Sequence, residues 1–316
     1  MDSDNDLEQL FEELKIYETL WSKDVEKGFL KRYLKKYGPD SLFYKIKEND
    51  KIRYYTYYPS SIAKNLKKKD TIQSRNALIG EFTEKFVKYL FSKTELVSKK
   101  KLYIVNNAIC PELGLTANSP ADIVVSSRNE RILNKNDIYL IGEVKMSLVW
   151  NWSFNPDDNS LTEEGDFTSH IGQPSLLRSD SVLKAIGKAV NIRLYNFEEV
   201  IPIVIICNTP IQSSYLEKIN NLFSKYFIHG ILSLNPYLKN VYGNYIHNTK
   251  TGSVVTIENL SQLNDKISKF IKERESKKKI IIKAIDGNFR EELKKEIRYI
   301  KDTEEAIDLV LKRLGI

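Results

Sequence analysis

Three side chains, Asp122, Glu143 and Lys145, have the types and spacing for acid and metal chemistry on a sheet. Glu143 and Lys145 stand two residues apart in the run Ile138-Tyr139-Leu140-Ile141-Gly142-Glu143-Val144-Lys145-Met146. The run is apolar, unbroken and too short for a helix, so it predicts a buried strand. Side chains alternate along a strand, and the carboxylate and the ammonium therefore leave on one face. Charges on a core strand are costly unless they are paired, hydrated or bound to a metal. Acid-x-Lys triplets also occur at Glu13-Leu14-Lys15, Glu275-Ser276-Lys277 and Glu292-Leu293-Lys294, all on expected helices. Only the triplet at 143–145 lies on an apolar strand, and only it follows a second strand-borne acid, Asp122, in residues 121–125. If the two strands are neighbours, Asp122 comes beside Glu143 and Lys145.

Two carboxylates on one face repel unless a cation lies between them, and hard oxygen ligands suit Mg²⁺. Such an ion lowers the pKa of bound water and neutralises charge building on a phosphate. A lysine on the same face positions water or stabilises the transition state. Together these are the parts of metal-assisted phosphodiester hydrolysis. A structural Glu143–Lys145 ion pair, with Asp122 paired elsewhere, is the other reading the residues allow.

The elements that must position these groups follow from periodicity. Residues 7–37 carry helical spacing that Gly38-Pro39-Asp40 ends. The outer face of the second helix there is basic, through Lys31, Arg32, Lys35 and Lys36. Residues 51–59 mix basic and aromatic side chains, which fits either base stacking or a tyrosine-rich strand. Residues 75–91 form an amphipathic helix with Ile79, Phe82, Phe86 and Leu90 inward. Strands are expected near 101–105, 121–125, 138–146 and 200–207, with a helix over 181–194. Residues 150–180 read as a long loop or insertion. Farther on come a helix over 212–227, strands at 230–232 and 254–257, and helices over 260–275 and 289–314. Lys67-Lys68-Lys69 is placed in a loop, and residues 273–279 form a hinge.

Ser119-Pro120-Ala121-Asp122 followed by Gly142-Glu143-Val144-Lys145 resembles the signature of the PD-(D/E)XK nucleases, the superfamily of restriction endonucleases. The expected order of elements over residues 75–207 is similar to that family's α-β-β-β-α-β core. One departure is that Ala121 separates the proline from Asp122. The resemblance implies catalytic roles for Asp122, Glu143 and Lys145, with Mg²⁺ held by Asp122 and Glu143. It also implies an acid from the first core helix in a Gly-x-x-x-Glu pattern. Gly80-Glu81-Phe82-Thr83-Glu84 fits and selects Glu84, with Glu81 the alternate, since the helical wheel does not separate them.

The chain of 316 residues is 41% hydrophobic and 29% charged, enough for a sizeable core. Its formal net charge of +7 leans toward an anionic partner, although a lysine-rich solvated surface explains it equally well. Cys110 and Cys207 are too few for a disulfide framework, and His170, His229 and His247 too scattered for zinc. No run is apolar enough to cross a membrane, and the acidic start is unlike a secretory signal, so a cytoplasmic location is expected. No Gly-x-x-x-x-Gly-Lys-Ser/Thr loop is present.

These readings combine into an α/β protein with a restriction-endonuclease-like core, a central mixed sheet flanked by helices. Three segments are expected: a mostly helical, basic region at 1–70, the core at 71–235 and a mostly helical region at 236–316. The expected activity is that of a Mg²⁺-dependent endodeoxyribonuclease, a site-specific type II restriction enzyme acting on double-stranded DNA as a homodimer. A repair or junction-resolving nuclease and a non-cutting DNA-binding module are the alternatives. Candidate DNA contacts are Lys184 and Lys188 to phosphates, and Asn151, Asn155 and Asn159 in the 150–160 loop as base readers, with Gln173 and Arg178 nearby.

Overall fold

The computed structural model describes residues 4–48, 51–63, 72–196, 201–241, 243–276 and, with gaps, 292–313. Its centre is a six-stranded mixed sheet. The strands lie side by side in the order Val254–Thr256, Gly230–Ser233, Ile203–Cys207, Ile138–Lys145, Ala121–Ser126 and Tyr103–Ala108. Tyr103–Ala108, Ala121–Ser126 and the central strand Ile138–Lys145 form an antiparallel meander. Ile203–Cys207 then pairs parallel with the central strand, and the two strands beyond it continue in parallel. Ile203–Cys207 is buried at every position, which is what an unbroken valine and isoleucine run means when helices cover both faces.

Each face of the sheet has its own core. Ile123, Val125, Leu140, Val204 and Ile206 pack under the first core helix, Gln73–Ser92, together with the N-terminal helices Asp4–Glu13 and Lys23–Tyr37. Val124, Ile141, Ile203 and Ile205 pack under the second core helix, Ser179–Tyr195, with Leu216–Ser224 and Thr303–Arg313. The alternation along each strand produces this split.

The N-terminal segment shares the first of these cores. Phe11 meets Phe82 and Phe86 edge-on, and Trp21 meets Phe86 in the same way. The segment also holds two strands, Tyr44–Glu48 and Lys51–Tyr55. The segment from 236 onward contributes the edge strand Val254–Thr256 as well as helices.

The long loop expected over residues 150–180 is not there. Asn151–Asn155 and Ser160–Gly165 form an antiparallel hairpin that joins Tyr44–Glu48 and Lys51–Tyr55 in a four-stranded sheet. Trp152 and Phe154 are buried and alternate with Ser153 and the exposed Asn155. The turn-rich run Asn155-Pro156-Asp157-Asp158-Asn159 hides that period of two, because it is the hairpin's turn and not a breaker.

The expected helix over 289–314 is also interrupted. Residues 299, 300 and 302 are not helical, and Asp302 Oδ1 accepts from Glu305 N at 2.9 Å, capping a new helix at Thr303. Lys67-Lys68-Lys69 and residues 277–279 of the expected hinge lie outside the described residues. Among the described residues, no helix is long and apolar enough to cross a membrane.

Candidate active site

The register of the meander brings the two acids together. Ile123 stands opposite Gly142 and Val124 opposite Ile141, so Asp122 falls beside Glu143 on the face of Val124 and Ile141. Asp122 Oδ2 accepts from the backbone N–H of Val144 at 2.8 Å, which fixes the carboxylate against the central strand. Lys145 Nζ lies 2.5 Å from Glu143 Oε1 and 3.7 Å from Asp122 Oδ2. Gly142 leaves room for the Ile206 side chain of the neighbouring strand, since a Cβ there would meet Ile206 Cδ1 at 3.0 Å.

A second lysine enters the same cluster. Lys188, on the second core helix, places Nζ 2.6 Å from Glu143 Oε2 and 3.0 Å from Asp122 Oδ1. Sequence reasoning assigned it to DNA phosphates with Lys184, because the two share a helix face. The structure turns Lys188 inward over the sheet and leaves Lys184 exposed, paired with Asp180 at 3.2 Å. No local sequence signal marks this; the small Gly187 beside it faces Ile307 of the helix Thr303–Arg313. Burial pulls the Lys188 ammonium down, but the charges of Glu143 and Asp122 outweigh it and hold its pKa above the usual lysine value. For Glu143, burial first and the charge of Asp122 second push the carboxyl up.

Glu84, on the first core helix that covers the other side of the sheet, lies within electrostatic reach of this cluster. Its carboxyl is pushed up to about 7, chiefly by burial and then by the charge of Asp122, against the pull of Lys145 and Lys188. Glu81 points away, half exposed, and pairs with Lys85 at 2.9 Å. Of the two glutamates, Glu84 is the one whose carboxyl responds to the charges of Asp122, Lys145, Lys188 and Glu143.

The expected base readers are scattered. Asn151 is buried, and its Oδ1 accepts from Tyr57 N at 2.9 Å and from Thr56 Oγ1 at 3.2 Å. It ties two strands together and presents no amide to a ligand, which corrects its assignment. Asn155 is spent on the hairpin turn, accepting from Asp157 N at 3.2 Å, and Asn159 sits beyond it with a left-handed φ of 54°. Gln173 and Arg178 are exposed; Gln173 accepts from Gln212 Nε2 at 2.9 Å, and Arg178 pairs with Asp180 at 3.4 Å.

One functional support was missed entirely. Glu26 is fully buried and accepts four N–H bonds, from Trp21 Nε1 at 2.9 Å, Val149 N at 2.6 Å, Trp150 N at 3.2 Å and Trp152 Nε1 at 3.1 Å. Burial pushes its carboxyl up to about 8 against the opposing effect of those donors. In the sequence it is one acid among many on a charged helix. In the fold it clamps the segment that leaves the central strand. Asn208 supports the same exit, bracketing Ser147 through Ser147 N at 3.3 Å and Ser147 O at 2.6 Å.

The cluster thus joins two carboxylates from adjacent strands, two ammonium groups and a third, near-neutral carboxyl. Such a set can hold a polyatomic anion beside a hard cation and move a proton between them. Among the described residues, no group of three His, Cys, Asp or Glu side chains is placed to hold a metal by itself. In comparisons with protein-family models, curated proteins and solved structures, nothing matches this chain.

Proposed function

We propose that this chain is a Mg²⁺-dependent endodeoxyribonuclease, and within that class a sequence-specific type II restriction enzyme. The observation that carries the reading is the convergence of Asp122, Glu143 and Lys145 on one sheet face, with Asp122 tied to Val144 N at 2.8 Å. The antiparallel meander followed by a helix and a parallel strand supports the resemblance to the PD-(D/E)XK nucleases seen in the sequence.

The residues fit the ion. Asp122 Oδ1 and Glu143 Oε2 already straddle one positive group, the Lys188 ammonium, at 3.0 and 2.6 Å. Mg²⁺ is commonly held by one or two carboxylates, with water and phosphate oxygens completing its shell, so two protein carboxylates suffice. When bound there, the ion would polarise a phosphate oxygen and acidify water. The remaining work falls to the chain itself. Lys145, held by Glu143, orients an attacking water and offsets negative charge on the phosphate. Glu84, titrating near neutrality, is suited to taking up or returning a proton. Lys188 holds the two carboxylates together. Cutting both strands of a symmetric site calls for two such centres, hence a two-fold homodimer.

Incubation of plasmid DNA with the purified chain and Mg²⁺ tests the reading. Discrete fragments are expected, and Lys145→Ala should abolish them while DNA binding persists. A smear, or cutting confined to junctions, would move the protein to repair. An uncut plasmid bound equally well with and without Mg²⁺ would make it a DNA-binding module.

A further inference from the structure

Past the end of the central strand, at Ser147, lies a pocket of ≈ 440 Å³ whose lining is aromatic and polar. Tyr44 and Tyr58 stack on each other there, with ring centres 4.2 Å apart, and Tyr57 stacks on His170 at 4.0 Å. Beneath them the buried Arg75 guanidinium lies 5.4 Å from the Tyr44 ring and 5.1 Å from the Tyr57 ring. It is held by the carbonyl oxygens of Leu42 and Thr56, and no carboxylate among the described residues pairs with it. Flat rings over a fixed cation, with the amides of Asn76 and Gln173 at the wall, suit a planar heteroaromatic ring with donors and acceptors on its edge.

Two helices and a strand end run from the pocket to the candidate active site. Asn76 lines the pocket, and Glu84, within electrostatic reach of the cluster, lies eight residues farther along the first core helix. Asp180 lines the pocket and Lys188 enters the cluster, eight residues farther along the second. Each interval is about 12 Å of helix. Between them the strand end supplies Lys145 to the cluster and Ser147 to the pocket. Midway along the first helix, a Cβ added at Gly80 would meet nothing within 4 Å, so the path is open.

We propose that this pocket receives a single nucleobase swung out of a DNA duplex, about three to four base steps from the phosphate at the Asp122–Glu143 cluster. The proposal rests on the nuclease reading. Unstacking costs least at a mismatched base, so a mismatch at the swung-out position should tighten binding.

Binding by the full chain is measured in EDTA on a duplex that it cleaves, with one mismatch moved through the base pairs beside the cut. At one position the parent should bind about fivefold or more tighter, and Tyr44→Ala and Tyr58→Ala should lose that gain. Gly80→Leu should fold with a Tm no lower than the parent's, since leucine is the better helix former, yet cut more slowly because the added side chain enters the path. Cleavage with a flat mismatch profile, a gain that survives both tyrosine changes, or full activity in a folded Gly80→Leu overturns the pocket and leaves the nuclease standing. Failure to bind or cut any DNA overturns both.

Discussion

Lys188 Nζ spans Glu143 Oε2 and Asp122 Oδ1, at 2.6 and 3.0 Å, so one ammonium from a helix links carboxylates from two neighbouring strands. On the proposed nuclease reading, it competes for the two carboxylates that would hold Mg²⁺. Its four-carbon stem lets it withdraw, which a fixed backbone donor would not do. Replacing it should therefore act on metal binding as well as on stability.

Lys188→Met removes one of two counter-charges from a partly buried acid pair. Breaking such a pair costs about 3–5 kcal/mol, so the variant's Tm should fall in metal-free buffer. Added Mg²⁺ should raise its Tm by more than it raises the parent's, since no ammonium competes. Thermal unfolding with and without Mg²⁺ measures both effects, and equal responses in the two proteins would remove Lys188 from this role.

The two first-helix glutamates should separate cleanly. Glu84→Gln should lower DNA cleavage about tenfold or more, because its near-neutral carboxyl lies within electrostatic reach of the cluster. Glu81→Gln should stay within about twofold, since it loses only an exposed pair with Lys85. Single-turnover rates on the same duplex decide between them.

His170 should make the protein acid-sensitive. Burial pulls its pKa down to about 4, so the folded state holds it neutral. Its contribution is fully present above the unfolded histidine value near 6.5 and is lost as pH falls through about 4, for a total of up to about 3 kcal/mol. His170→Phe keeps a ring against Tyr57 and cannot take a proton. The difference in Tm between parent and variant should shift in the variant's favour from pH 7 to pH 4, and a difference independent of pH would contradict this.

Glu26→Ala leaves four N–H donors without their acceptor in a dry core. The loss should be about 3 kcal/mol or more, read as a lower denaturation midpoint in urea. Glu26→Gln, which keeps one acceptor oxygen, should fall between Ala and the parent.

The strands and helices around the site were legible because their patterns are local. The 138–146 run, the helix over 75–91 and the parallel strand near 203–207 each carry a period that needs no partner to recognise. The hairpin after residue 150 was not legible, since its Asn/Asp turn looks like the edge of a loop until Trp152 and Phe154 are seen against the first two strands. Lys188 and Glu26 were hidden for a different reason. Each is a charged residue on a charged helix, and what distinguishes it is a partner far away in sequence, on another element. Choosing Glu84 over Glu81 likewise needed the helix's rotation about its axis, which spacing alone leaves undetermined.

The Glu26 clamp also bears on the order in which the molecule is made. Its donors Val149, Trp150 and Trp152 lie 123 to 126 residues downstream. While the chain grows on the ribosome, Glu26 stays hydrated and unclamped until nearly half the protein has emerged. Long-range closures of this kind are slow. The segment leaving the central strand can therefore lock only after Trp152 has emerged, yet still ahead of the helix that carries Lys188 and the three parallel strands that complete the sheet.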